Sequence, residues 1–396
     1  MELSDLASLR PELDRFVGGF EDCIGTRPSQ KHFRRYVAGQ LSDLPRKSAE
    51  PIALATGVPP RSLQEFLSLH LWDDRALRDR VIDRIEQRHG DSEGIALIDE
   101  TSVPKKGPKT PGVQRQHCGA TGKTDNCVVT VHLGYATDDI ATLVDGDLYL
   151  PESWAQDRRR CREAGIPDSM PYRPKWRIAL DLLEHASERG LSMRWVCADE
   201  EYGRAYAFRQ GVAHLGLWCM VEVPRTTRGW RPHQRRTDPT KRAEQWARGG
   251  GPRWETYKVK QTDKGPSVWR VRAVRWCPAE ERQPGEEQWL LVARNVVEDE
   301  TKYFISNAPA DIAVGTLVKV AFSRWHVERL FQEAKQQTGL ADFEGRRYVG
   351  LRRHLVLTTV SLLYLAEQRK RLREKKGSTS VWGSSGSPSS ASSIRA

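Results

Sequence analysis

Apolar residues between positions 1 and 90 recur at helical spacing, as in Leu63, Phe66 and Leu67 and then Leu77, Val81, Ile82 and Ile85, with Pro59-Pro60 interrupting the pattern. Ser62-Leu-Gln-Glu65 has the spacing of a capping box and predicts a helix start at Ser62. A preceding helix over 48–56 is expected to end near Gly57. Two short helices around a Gly/Pro turn fit a helix-turn-helix that presents Arg61 and Gln64 to DNA, and they fit an ordinary helical bundle equally well.

Beyond residue 90 the period changes. Ile95-Ala-Leu-Ile-Asp99 is a short apolar run that ends in an acid, and 126–137 and 140–150 are two β-patterned stretches joined at Asp138-Asp139, read as a hairpin. A helical pattern over 174–189 leads to a second such run, Arg194-Trp-Val-Cys-Ala-Asp199, followed by a helix and a strand at 217–223. Strands alternating with helices predict a mixed α/β sheet. WETYKVKQT (254–262) and SVWRVRAVRW (267–276) then alternate as antiparallel strands would. Residues 312–340 read as one helix with Val327, Leu330, Phe331 and Ala334 on one side, and a further helix is expected over 349–372. The last twenty residues hold nine serines and are expected to be disordered.

Composition narrows the partners. The chain has 396 residues, enough for two or three domains, and 63 Lys+Arg against 52 Asp+Glu give it a net charge of +11. Residues 225–275 alone hold fifteen Lys/Arg and four Asp/Glu, an excess equal to that of the whole chain, so the basic surface is concentrated there, Arg225 and Arg228 included. Trp230, Trp246, Trp254 and Trp269 lie in the same segment. Seven scattered cysteines without a CxxC pair indicate neither a disulfide framework nor a zinc site. No stretch approaches the eighteen apolar residues of a membrane span, and a cytoplasmic protein, nucleoid-associated when bound to DNA, is expected.

Two strands ending in Asp99 and Asp199 and a late helix carrying Glu328 are what a two-metal phosphodiester site requires, because carboxylates from separate elements must converge on ions about 3.5–4 Å apart. Mg²⁺, with Mn²⁺ as a substitute, suits such all-oxygen ligands. A lone Asp at a strand end is more ordinarily a turn or helix cap. Arg324 and Lys335 flank Glu328 at spacings of four and seven, which puts all three on one helix face with two cations able to neutralise phosphate. Lys105 and Lys106, with Arg115 and Lys123 in the next loop, are further candidates for gripping phosphates.

With these residues in view, the chain resembles the DDE transposases of bacterial insertion sequences, and within them insertion-sequence family 701, related to family 4. The matching segments are Leu97–Gly107, GVQRQHCGATGKTDNC (112–127), DGDLYLPESW (145–154), RCREAGIP (160–167), CADEEYG (197–203) and RWHVERLFQEAKQQTGL (324–340). Arg324, Glu328 and Lys335 match the Y-(2)-R-(3)-E-(6)-K signature, whose tyrosine falls at position 321, an alanine here with Phe322 beside it.

The resemblance implies an RNase-H-like mixed five-stranded sheet with flanking helices over 91–223 and 302–345, interrupted by a β-rich basic insertion at 224–301. An all-helical DNA-binding or dimerisation region at 1–90 precedes it, and a C-terminal helix (346–373) and a Ser-rich tail (374–396) follow. It further implies catalytic Asp99, Asp199 and Glu328 with two Mg²⁺ ions, terminal inverted repeats and target DNA as substrates, hairpin ends, and a homodimer in a synaptic complex. By the same resemblance a tryptophan of the insertion, Trp230 among them, would stack on a flipped base. A catalytically silent DNA-binding regulator and a nuclease that cuts without joining are the alternatives.

Overall fold

The computed structural model describes residues 3–248, 252–262 and 265–380. The chain starts with α1 (Leu3–Gly18), α2 (Arg27–Gln40), α3 (Ala49–Ala55), α4 (Pro60–Ser68) and α5 (Asp74–His89). Four strands follow, β1 (Ile95–Pro104), β2 (Gln114–Cys118), β3 (Lys123–Ala136) and β4 (Ala141–Leu148). Helices α6 (Glu152–Gln156), α7 (Arg158–Glu163) and α8 (Lys175–Glu188) lead to β5 (Trp195–Ala198), α9 (Glu200–Arg204), α10 (Tyr206–His214) and β6 (Trp218–Glu222). Next come β7 (Arg228–Trp230), β8 (Lys241–Arg242), α11 (Ala243–Arg248), β9 (Glu255–Thr262), β10 (Gly265–Glu280), β11 (Gln283–Pro284), β12 (Gln288–Asn295) and β13 (Thr301–Ser306). Helices α12 (Val314–Ala321), α13 (Trp325–Thr338) and α14 (Tyr348–Ser380) close the described chain.

The order β4-β3-β1-β5-β6 forms the centre of the sheet, with β3 antiparallel to both its neighbours and β1, β5 and β6 mutually parallel. This is the mixed α/β sheet that the alternation of elements predicts, with the five strands that the resemblance implies. The sheet is larger than five strands, however. β13 pairs with the outer edge of β6 and continues through β12 to β10, so the segment expected as an insertion extends the central sheet instead of standing apart from it. An uncovered β6 edge would leave a row of unpaired backbone groups, and β13 fills it.

Strand alternation sorts side chains to two faces. Ala96, Ile98, Val196 and Ala198 share a core with Ile178 and Leu182 of α8, whereas Leu97, Trp195 and Cys197 share one with Leu317 of α12 and Val327 and Leu330 of α13. With helices on both faces, β3 reads as an almost unbroken buried run, not as alternation.

α14 joins both cores, contributing Leu351, Leu355 and Leu362 to one and Val356, Val360 and Leu363 to the other. It is also tied to the N-terminal helices. Tyr36 Oη and His354 Nδ1 are 3.0 Å apart, Gln40 Nε2 donates to Thr358 Oγ1 at 3.1 Å, and Arg84 pairs with Glu367 at 2.7 Å. Among the described residues no helix is long and apolar enough to cross a membrane.

Three expectations change. α4 starts at Pro60, with Ser62 inside the helix and Glu65 paired to Arg61, because proline at the first helical positions already supplies the start. The helix expected over 312–340 is broken at 322–324, where Phe322 packs against Trp269 and Phe304 at ring distances of 4.8 and 5.8 Å. Of the Ser-rich tail, 374–380 continue α14, and 381–396 lie outside the described residues.

Candidate active site

Strand pairing supplies the geometry. Leu97 pairs with Cys197 and Ala198 with Val221, so the C-terminal ends of β5 and β6 lie side by side next to the first half of β1. Asp99 lies within β1, two positions after Leu97, and Asp199 directly follows β5, the two strands being about 4.8 Å apart, and alternation puts both acids on the face covered by α13. The break before α13 places Arg324 at its start, where one guanidinium donates to Asp99 Oδ2 at 2.8 Å and to Glu328 Oε1 at 2.9 Å. Shared through a single planar fork, those two carboxylates stand within about 8 Å of each other.

Asp99 is buried, its side chain 14% exposed. Burial pushes its pKa up to about 7, the Arg324 cation acting against this and the charges of Asp199 and Glu100 adding to it. Its cross-strand partner is His132 of β3, which burial pushes down to about 4, so this histidine supplies no cation to balance Asp99. Asp199 is likewise held above its ordinary value by burial and by Glu100, against the pull of Arg324. Asp199 is also the N-cap of α9, accepting from Glu201 N at 2.9 Å, so the ordinary role of an acid at a strand end is realised together with its place in the cluster. α9 sits so close to β6 that a Cβ on Gly203 would lie 1.9 Å from Glu222 O, which explains the glycine of CADEEYG.

The alternation separates the neighbouring acids. Glu100 points to the α8 face, where Lys175 Nζ donates to it at 2.7 Å and Tyr202 Oη at 2.7 Å, and Lys175 also holds Glu201 at 3.0 Å. Glu222 was not singled out in the sequence. It lies one strand beyond Asp199 on the α13 face, is paired to Lys302 at 3.3 Å, and with Asp99, Glu328 and Asp199 raises the pKa of Arg324 against its burial. Its only sequence signal is a charged residue inside the apolar strand 217–223.

The expected phosphate and DNA contacts divide. Lys335 is half-buried near Cys118, with burial lowering its pKa and, among the described residues, no carboxylate within ion-pair distance. Lys106, Arg115 and Lys123 are exposed, the last two on a β2–β3 hairpin that projects beyond the Asp99 end of β1. Lys105 instead points inward and donates to the carbonyls of Phe343 and Ala341, and burial brings its pKa down to about 8. Arg225 and Arg228 are exposed. Trp230 is only 4% exposed and its indole N–H donates to Asp238 O at 2.8 Å, so its ring faces are covered by protein. Arg61 is exposed but paired to Glu65 at 2.6 Å, and Gln64 lines a cavity of about 320 Å³ with Arg346 and Arg347. Phe322 does not replace the signature tyrosine, since its ring is engaged by Trp269.

Among the described residues no three His, Cys, Asp or Glu side chains stand close enough to enclose a metal ion. Arg324 accounts for this, as its guanidinium lies between Asp99 and Glu328. The donor set nevertheless fits a hard divalent cation: it offers only carboxylate oxygens, and both aspartates have pKa values raised by burial first and by neighbouring carboxylates second, against the pull of one arginine.

The description of the DDE superfamily endonuclease matches residues 19–287, which include Asp99 and Asp199 and stop short of Glu328. A probable transposase for insertion sequence element IS701 from Microchaete diplosiphon is 33% identical over 194 residues, 49% of this chain and 48% of that protein. The match thus spans about half the length of that relative. With more than half of its residues matched by the family description, the chain belongs to the DDE superfamily of endonucleases, which use divalent metal ions.

Proposed function

We propose that this endonuclease is the transposase of an insertion sequence, binding the terminal inverted repeats of its element, cutting the DNA at their ends and joining those ends to target DNA. The observation that carries the reading is the convergence of Asp99 and Glu328 on Arg324, with Asp199 just after β5, the strand that pairs with β1. The similarity to an insertion-sequence transposase supports it.

In this reading Asp99, Asp199 and Glu328 hold two Mg²⁺ ions, or Mn²⁺ in their place. When bound, the ions supply activation of the attacking oxygen and neutralisation of the leaving one. The chain's own cations act on the substrate. Arg324 exchanges its carboxylate partners for a phosphate of the DNA end, and Lys335, which has no carboxylate partner among the described residues, takes a neighbouring phosphate. Water first opens the phosphodiester to leave a 3′-hydroxyl and a 5′-phosphate, the 3′-hydroxyl attacks the opposite strand to give a hairpin and expel the 3′-hydroxyl of the flanking DNA, a second water reopens the hairpin, and the regenerated 3′-hydroxyl attacks a phosphodiester of target DNA and displaces its 3′-hydroxyl. The helical region 1–90 and the basic insertion 224–301 contribute to end binding, and two copies act together on two ends in the cytoplasm. Because many phosphates are neutralised, binding falls steeply with salt.

The test is substitution of each acid. Asp99→Ala, Asp199→Ala and Glu328→Ala are each expected to abolish cleavage of an end-containing duplex while leaving its binding in place. Near-normal cleavage by any one removes that residue from the site. Paired ends incubated with target DNA then separate joining from simple cutting, and binding without cleavage by the unaltered protein identifies a regulator.

A further inference from the structure

α13 runs alongside β1 in the same direction. At its start Arg324 meets Asp99, and the turn that follows its end meets Lys105, the residue directly after β1. The two paths match in length. Strand rise from Asp99 to Lys105 covers about 20 Å, and helical rise from Arg324 to Gly339 covers about 22 Å.

Lys105 is a fixed point on this frame. Its backbone N–H donates to Asn126 O at 2.8 Å and Asn126 Nδ2 donates back to Lys105 O, so the pairing of β1 with β3 continues through it. Its ammonium donates to the carbonyls of Phe343 and Ala341. Burial opposes that charge, and Glu344 and Asp342 of the same turn favour it. A second lysine grips the turn from the N-terminal region. Lys47, which is buried, donates through Nζ to Gln337 O at 2.6 Å and through its backbone N–H to Asp342 Oδ2 at 2.7 Å. Of the two, only Lys105 stands on the strand that carries Asp99.

Apolar packing keeps α13 on the sheet but is non-directional, whereas donation to particular carbonyls fixes where the turn and its helix stand. At the other end, the guanidinium of Arg324 lies between Asp99 and Glu328, so cations reach these carboxylates only once it has moved. The tie through Lys105 then remains. We infer that Lys105 is a positioning residue: by holding the turn after α13 to the strand of Asp99, it sets the separation of Glu328 from Asp99 once Arg324 has let go. This rests on the reading of these two acids as metal ligands. Roughly 14 Å of helix separates Glu328 from Gln337, and a shift of one end along the axis is carried to the other.

The test uses the full chain with Lys105→Met, which keeps most of the side-chain length and removes its donors. Mn²⁺ binding is measured by calorimetry without DNA, and cleavage of an end-containing duplex is followed over a range of duplex concentrations. Mn²⁺ affinity should fall about tenfold, as for loss of a group that orients a metal ligand. The value of kcat should fall by about tenfold to a hundredfold, as for a misplacement on the order of 1 Å, with KM for the duplex unchanged. A raised KM with a shallower salt dependence would make Lys105 a phosphate contact instead and overturn the inference. Lys105→Arg, which keeps the charge and the donors, should restore most of the affinity and rate. Lys47→Met loosens the same turn without touching β1, and should lower the melting temperature while costing less Mn²⁺ affinity than Lys105→Met. Equal losses of affinity would show that the turn needs only a tether and would overturn the role given to Lys105. If Lys105→Met does not fold, Lys105→Gln, which keeps one amide donor group, takes its place with a smaller loss expected. Unchanged affinity and kcat in the folded variant overturn the inference. Glu328→Ala in the same calorimetry keeps the two readings apart. If it leaves Mn²⁺ binding intact, the assignment of the metal ligands falls and the inference with it; if it weakens binding while the Lys105 variant does not, the inference alone falls.

Discussion

Asp99→Asn tests the electrostatics of the acid cluster without asking for activity. Asp99 titrates near 7 in the folded chain and near 3.8 when unperturbed. The folded state therefore holds its proton more tightly than the unfolded state. The stability this group contributes is complete below pH 3.8 and is lost as pH rises through 7. About three pKa units at 1.36 kcal/mol each put the cost of ionised Asp99 at about 4 kcal/mol above neutrality. The side chain is only 14% exposed, so little of this is screened by solvent. Asparagine cannot ionise yet still accepts from Arg324. Urea unfolding with chelator present should thus find Asp99→Asn more stable than the unaltered protein by about 4 kcal/mol at pH 8, and by less than about 2 kcal/mol at pH 5. Added Mg²⁺ should stabilise the unaltered protein, by about 2.7 kcal/mol at a hundredfold excess over its dissociation constant, and should do much less for the variant. An equal gain at both pH values, or a variant less stable at pH 8, would refute the reasoning.

Two further substitutions probe the scaffold. Asp145→Ala should cost about 3 kcal/mol in urea unfolding, because it strips Arg78, 9% exposed and 3.2 Å from Asp145, of its principal buried partner; a loss below about 1 kcal/mol would show that Asp74 suffices to hold that charge. Gly203→Ala should lower stability by about 2 kcal/mol or more and reduce cleavage, since the new Cβ meets backbone at Glu222 and must displace α9 with its N-cap Asp199; an unchanged melting temperature would show that α9 is free to shift.

Much of the scaffold follows from local pattern. The short apolar runs of β1, β3 and β5 and the period of 3.6 in α8 and α13 are properties of short windows, and the acids at 99 and 199 stand where apolar runs end. The choice between Asp99 and Glu100 depends on facing. Adjacent residues on a strand point oppositely, and the packing of α13 on one face and α8 on the other decides which acid meets Arg324 and which meets Lys175.

What the sequence determined by itself was therefore the order of elements, the positions of the acids and the family to which they belong. Only the tertiary structure decided the break at 322–324, which no proline or glycine marks and which the contact of Phe322 with Trp269, more than fifty positions earlier, imposes. The same holds for the inward turn of Lys105, the burial of Trp230, the addition of Glu222 to the cluster and the continuation of the sheet into the insertion. Each depends on which distant segment arrives as a neighbour, and a local pattern of polar and apolar residues carries no record of that.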